Sequence, residues 1–514
     1  MAGTTRFATA SAAVATAEFT GAVVLEADLE LTASGTLDFN GSLSGDAGTE
    51  SLTIVSVTDL TFAAAVQDIA TLEVQTADTI TFESTLDDIT TLDLTATDTI
   101  TFESTLDSIT TVDLTATTTR FEGDLTGLGG LTVAGTTRFA TASAAVATAE
   151  FTGAVVLEQT LVVAVDEDIV FHGQVQAVNA DVDLAINAGQ SVSLEGAVTG
   201  FANLDFEAGT LLMLPDSGLD VGLGTLRLVA VEDIVDQSGR ELGILRAGEL
   251  ILSSGSSGGD TNLITDVTEI QAELSGEARG LTISEADSIL LTRLFTKNGE
   301  IVVNGAQHSF GDIFIVEVNA GQQRVILDTT AQGGGIFDGD ETLTDVVAES
   351  LAILASTGVG ANSRLEVDVQ QLAVETVSGS IRIEDIAGGL TITDVAGISG
   401  VQILAGDASH GKLTLRATGS VSVETVGNID GGDITLARIM TDDALTISTK
   451  SSGIKGSREI FGWPVHTDIV VDSARCAGDQ RGAGEFGGKV CCFLFGPQNG
   501  NTPRTLFWLL NESA

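Results

Sequence analysis

Carboxylates are the side chains with the most regular chemistry in this sequence, because several recur at an interval of 20 residues: Glu73, Asp93 and Asp113; Glu83 and Glu103; Asp87 and Asp107; Asp78 and Asp98. Facing carboxylates can hold a hard cation such as calcium through oxygen ligands, or work as a general acid and base on a glycosidic bond. The second chemistry also asks for a basic residue and aromatic platforms around a groove. Tyr is absent, and His172, His308 and His410 stand far apart with no nucleophile beside them; each is expected on a corner or at the surface. The glycine-aspartate nonapeptide of calcium-binding β-rolls and the EF-hand loop are both missing, and the fragments GGD (258–260) and DGDE (338–341) read as turn chemistry. No catalytic residue is therefore expected. What remains is a weak, diffuse set of calcium candidates, Glu73, Asp93, Asp113, Glu83, Glu103, Asp87 and Asp107, and no other cofactor.

The interval comes from a repeat. DTITFESTLDDITTLDL (78–94) and DTITFESTLDSITTVDL (98–114) differ only at Asp88/Ser108 and Leu92/Val112. A unit that short cannot bury its own apolar face, so each copy must lean on the next, as in a solenoid. Phe62, Phe82 and Phe102 share one repeat position, Ile69, Ile89 and Ile109 another, and Val74, Leu94 and Leu114 a third. Between them apolar residues alternate with Thr, Asp and Glu, the period of a strand buried on one face, whereas Leu86, Ile89 and Leu92 are three apart and suggest corners. Proline, which cannot donate to a strand ladder, occurs only four times. The expected fold is all-β: a parallel β-helix (β-solenoid) of about 20 residues per coil, with Phe82 between Phe62 and Phe102 at roughly 4.8 Å spacing. The chirality rule for parallel crossovers makes it right-handed. Thr61, Thr81 and Thr101 then stack, and Thr95, Thr97, Thr99 and Thr101 alternate along one strand. Such a grid can order water in ice-binding solenoids, but Glu83/Glu103 and Asp93/Asp113 interrupt it, so it reads as an ordinary exposed strand face.

Composition narrows the partners. The 514 residues carry 72 acidic against 22 basic side chains, a net charge of −50, which makes nucleic acid and anionic membrane surfaces poor partners and cations natural ones. Hydrophobic content of 43% in a periodic pattern argues against disorder. No apolar run approaches the 18 or so residues of a membrane span, so no membrane insertion is expected of this segment.

Three zones are visible. Residues 1–209 hold the regular repeats, with Phe19, Phe39, Phe62, Phe82, Phe102, Phe121, Phe151 and Phe171 at or near the 20-residue interval. From 210 to 456 the pattern loosens into short alternating segments such as Leu365–Val369, Ile381–Ile383, Leu413–Leu415 and Leu445–Ile447. Residues 457–514 hold all three cysteines, both tryptophans and three of the four prolines, near charge balance. Two readings stand for this tail: a terminal cap or small appended domain, or an end in a non-native reading frame. At the other end, FATASAAVATA (7–17) has the look of a signal peptide. Residues 2–26 recur unchanged at 134–158, however, and a cleavable signal would not be repeated inside a mature rod. The expectation is a fragment from the interior of a much longer chain.

The segments FTGAVVLEADLELTASGTLDFNGSLSG (19–45), FTGAVVLEQTLVVAVDEDIVFHG (151–173) and LAILASTGVGANSRLEVDVQQLAVETVSGSIRIEDIAGGLTITDV (351–395) resemble the repeat regions of very large bacterial surface proteins, the filamentous haemagglutinin-like and autotransporter-like adhesins. The resemblance covers most of 1–456 and none of the tail. It implies a right-handed β-helical stalk on an exported, cell-surface protein, facing an unidentified host or environmental surface of protein or polysaccharide. The expected function is structural, with no catalysis; the alternative is a carbohydrate-active β-helical lyase or hydrolase.

Overall fold

The computed structural model describes residues 3–403, apart from breaks at 9, 214–216, 237–243, 256–259, 341–343, 379–380 and 387–389, and beyond 403 the backbone of strand segments only. All described elements are strands. They fall into two compact units, Met1–Gly255 and Ser256–Ala514, and each is a parallel β-solenoid in its own right.

In the first unit each coil offers three strand segments. Thr5–Phe7, Ser11–Val14 and Ala17–Phe19 pair in parallel with Val23–Leu25, Leu29–Ala33 and Leu37–Phe39 of the next coil. From Val66 on, the three segments of a coil merge into single bent strands, Val66–Phe82, Leu86–Phe102 and Leu106–Phe121. Their register is the one expected from the repeat: Val66 lies beside Leu86, Ile69 beside Ile89, and Phe82 beside Phe102. The apolar residues of each alternation point inward and are buried to the last few per cent.

The three-residue spacing Leu86, Ile89, Leu92 does mark a corner. It is turned by Asp88, in the left-handed region at φ 51°, above Asp68 (55°) and below Ser108 (55°) and Gly127 (62°). Asp, Ser and Gly are suited to that conformation because a short polar side chain, or none, relieves its clash.

A column of phenylalanine rings runs through this core. Phe19, Phe39, Phe62, Phe82, Phe102, Phe121 and Phe139 are stacked with neighbouring centroids 4.8–5.3 Å apart. The seventh ring corrects the sequence reading, which passed from Phe121 to Phe151. Phe139 meets Phe151 edge-on, at 5.8 Å and 77°, and Phe151 follows Val133 in a different column that continues to Phe171. The cause is coil length. The step from Phe121 to Phe139 is 18 residues, not 20, so the chain gains phase around the axis. The two identical 25-residue segments consequently occupy different faces: Phe19 continues into the Phe39 ring column, whereas its counterpart Phe151 enters the column of Val133.

The second unit has more variable coils. Leu281 pairs with Ile301, Ile301 with Val325 and Val325 with Leu351, and insertions between strands make the repeat hard to see in the sequence. The short segments read as strands are strands: Leu365–Thr376, Ile381–Asp385, Leu413–Ala417 and Leu445–Thr449 all lie in the parallel ladder. Parallel pairing extends past Gly456 to Ile469–Ser473, which lies on Leu445–Thr449. In the tail, Val490–Leu494 and Phe507–Leu510 form an antiparallel pair.

Candidate functional site: carboxylate ladders and buried acidic clusters

The solenoid brings the expected carboxylates together with one exception. Glu73, Asp93 and Asp113 are direct partners on three successive strands. Asp93, in the middle, is raised above the usual carboxylate range, first by burial and then by the charges of Asp113 and Glu73. Asp87 pairs with Asp107 and is raised by burial, then by Asp88 and Asp107. The backbone N–H groups of Glu83, Glu103 and Glu122 donate to Phe62, Phe82 and Phe102 in turn, so these glutamates occupy one position of three successive coils. Glu122 ends that ladder beside a cation, Arg120 Nε at 2.6 Å from its Oε1.

The exception is Asp78/Asp98. Register shifts flank Ala77, which pairs with Ala96, because two residues separate Val74 from Ala77 and only one separates Leu94 from Ala96. The bulge turns Asp78 toward Thr97, whose Oγ1 donates to Asp78 Oδ1 at 3.1 Å. The threonine column Thr61, Thr81, Thr101 forms as expected and ends at Arg120.

The few basic side chains are used as braces between coils. Arg6 reaches Glu26 and Asp46, Arg120 and Arg138 share Glu158, Arg227 holds Asp205, and Arg324 holds Glu300. His172 is braced in the same way, with Nδ1 2.8 Å from Glu195 Oε2 and Nε2 3.0 Å from Glu150 Oε1. These bonds, Glu195 first, raise its pKa. His308 is exposed, and His410 lies outside the described residues.

Two groups of three carboxylates were not among the sequence candidates: Asp266, Glu285 and Asp287, and Asp338, Asp345 and Glu366, each with ligand oxygens within 4.8 Å of one another. Glu285 is buried and its carboxylate is ringed by backbone donors, Val267 N at 3.3 Å and Ala286 N at 2.9 Å. Burial nevertheless pushes it up to about 7. In the second group Asp345 is fully buried and pushed up to about 9, mainly by desolvation and further by Asp338 and Glu366. Of these only the Asp338/Asp340 turn was visible in the sequence; Asp345 and Glu366 sit a coil apart where coil length varies.

A small apolar void, lined by Leu131, Phe139, Val146, Phe151 and Leu157 among others, lies where the ring column changes direction, and offers no polar group for catalysis. No helix of the described residues is long and apolar enough to cross a membrane. Comparison of the chain with protein-family models, with curated proteins and with solved structures found no match.

Proposed function

We propose that this chain is a structural stalk segment of an exported bacterial surface adhesin, with no catalytic role. The observation that carries the reading is the in-register stacking of like residues on successive coils, seen in the pairing of Phe82 with Phe102 and Asp93 with Asp113. A solenoid whose coils couple to their neighbours grows in length by adding rungs, which is what a spacer needs. Two further features support it. Among the described residues His172 is a brace, His308 is exposed, and the paired carboxylates Glu73/Asp93/Asp113 and Asp87/Asp107 form ladders along successive coils, whereas glycosidic chemistry needs two carboxylates and a substrate groove in one place. The acidic surface suits a medium where salt and divalent ions screen it.

On this reading the partner is a host or environmental surface, protein or polysaccharide, and the chain lies outside the cell without entering the membrane. Protease shaving of intact cells expressing the parent gene tests location: peptides from 60–121 should be released without lysis. Incubation with acidic polysaccharides tests the enzyme alternative, and no new reducing ends should appear. Peptides released only after lysis would contradict the surface role, and steady production of reducing ends would replace the stalk with a lyase or hydrolase.

A further inference from the structure

In the second unit one column of ladder positions is acidic over four coils: Glu317, Asp345, Glu366 and Glu384, which directly precede the paired positions Val318, Val346, Val367 and Asp385. Its outer members have arginine partners, Glu317 with Arg293 and Glu384 with Arg364. Its inner members, Asp345 and Glu366, form no ion pair with a basic side chain among the described residues. Asp338 joins them at the end of the strand Ile336–Asp338, at an inward position that Leu291 and Ile315 hold in the two preceding coils. A carboxylate thus replaces a core aliphatic where two others converge.

The hydrogen bonds account for only half of the buried oxygens. Asp345 Oδ2 accepts the backbone N–H of Glu366 at 2.7 Å, and Asp338 Oδ1 accepts that of Asp340 at 2.8 Å. Asp345 Oδ1 and Asp338 Oδ2 are buried with no hydrogen-bond partner, although the two residues are only 0% and 4% exposed. Buried polar atoms are normally paired, and buried like charges need a counter-ion. The contrast with Glu285, whose carboxylate has several backbone donors, sets this cluster apart. The backbone of Asp345 is also held from both sides, its N–H by Glu366 O and its C=O by Val318 N, so the side chain cannot easily turn out to solvent.

We propose that Asp338, Asp345 and Glu366 form a binding site for one calcium-sized divalent cation, which takes the place that arginine holds at the two ends of the column. Ligand oxygens within 4.8 Å of one another match a shared ion at about 2.4 Å from each. Oxygen-only donors favour calcium over zinc, and the half-buried Glu366 leaves a path for the ion and its remaining waters. This site is independent of the diffuse surface ladders and of the stalk reading.

The test is calcium binding to the full chain in 0.15 M sodium chloride, by calorimetry with calcium chloride, joined to hydrogen exchange with and without calcium. One saturable site per chain is expected, with calcium-dependent protection of peptides spanning 336–369. Asp345→Asn should weaken the site at least tenfold and remove the local protection, yet should melt no lower than the wild type in chelator, since the amide keeps the shape of the carboxyl group and carries no charge. Glu366→Gln provides the same comparison at a less buried position. Magnesium should bind more weakly. Absence of a saturable site, or one that survives in both variants, overturns the proposal, and in the first case the cluster simply holds protons.

Discussion

Phe102 lies face to face with Phe82, with ring centroids 5.1 Å apart and planes 6° from parallel, although a full coil of chain separates them. The contact repeats above and below, so each ring from Phe39 to Phe121 is covered on both faces by its own kind. Offset stacking of this sort adds to the burial term, and it places the main stabilising contacts between coils and not within them.

Phe82→Ala should therefore open a cavity between Phe62 and Phe102 and cost about 3–5 kcal/mol locally. Thr81→Ala, at a half-buried position on the outer side of the same strand, should cost about 0.5 kcal/mol or less. Thermal melts compare the two, and hydrogen exchange should locate the damage between residues 60 and 105, since the coils couple mainly to neighbours. Equal costs would mean that the inner and outer faces are assigned wrongly.

Glu285 governs a pH dependence. Its folded-state pKa is raised from 4.5 to about 7, so the folded state binds the proton more tightly than the unfolded chain. Stability should be greatest below about pH 4.5 as far as this group is concerned, and should fall as pH rises toward 7, by on the order of 3 kcal/mol. Glu285→Gln should flatten the denaturation midpoint against pH over that window. A midpoint that still falls as steeply in the variant would assign the effect elsewhere.

His172 acts over a neighbouring window with a smaller effect. Glu195 and Glu150 raise its folded pKa above 6.5, so its contribution is fully present below that value and is lost as pH rises through the folded pKa. The side chain is 35% exposed, and solvent screening keeps the contribution under about 1 kcal/mol. Titration of the ring by NMR should give a pKa above 6.5 that returns to the ordinary value in Glu195→Gln with Glu150→Gln.

The acidic ladder Glu73, Asp93, Asp113 should make the first unit sensitive to salt. Like charges on directly facing strand positions repel, by roughly 0.2–1 kcal/mol per pair, and salt screens them within about 8 Å at physiological ionic strength. Thermal midpoints should rise with sodium chloride, and Asp93→Asn should weaken that rise. We further propose that millimolar calcium adds to it through many weak surface sites. A calcium titration at constant ionic strength, followed by hydrogen exchange over 73–113, checks this: protection that answers to sodium chloride alone would leave screening as the whole effect.

Legibility in the sequence tracked the constancy of coil length. Between 78 and 114 the step is 20 and the residues nearly identical, so the Phe82/Phe102 stack, the Asp88 corner and the Asp93/Asp113 pair were all readable from spacing. Where a coil gains or loses a residue, spacing misleads. The 18-residue step placed Phe139, not Phe151, on Phe121, and the bulge beside Ala77 parted Asp78 from Asp98. The buried cluster was hidden for the same reason: Asp338, Asp345 and Glu366 come from coils of unequal length, and only the pairing of Val346 with Val367 brings them to one place. Its inward-facing Asp338 breaks the apolar alternation, a signal visible only once Ile315 is known to precede it in the column.

The parallel register itself is tested most directly by paired spin labels, in a background with Cys476, Cys491 and Cys492 replaced by serine. Labels at Asp93 and Asp113, one coil apart, should show strong dipolar broadening from backbone positions about 5 Å apart, and labels at Glu73 and Asp113, two coils apart, clearly weaker broadening from about 10 Å. Broadening that is absent for Asp93/Asp113, or no stronger than for Glu73/Asp113, would contradict a solenoid with a 20-residue step.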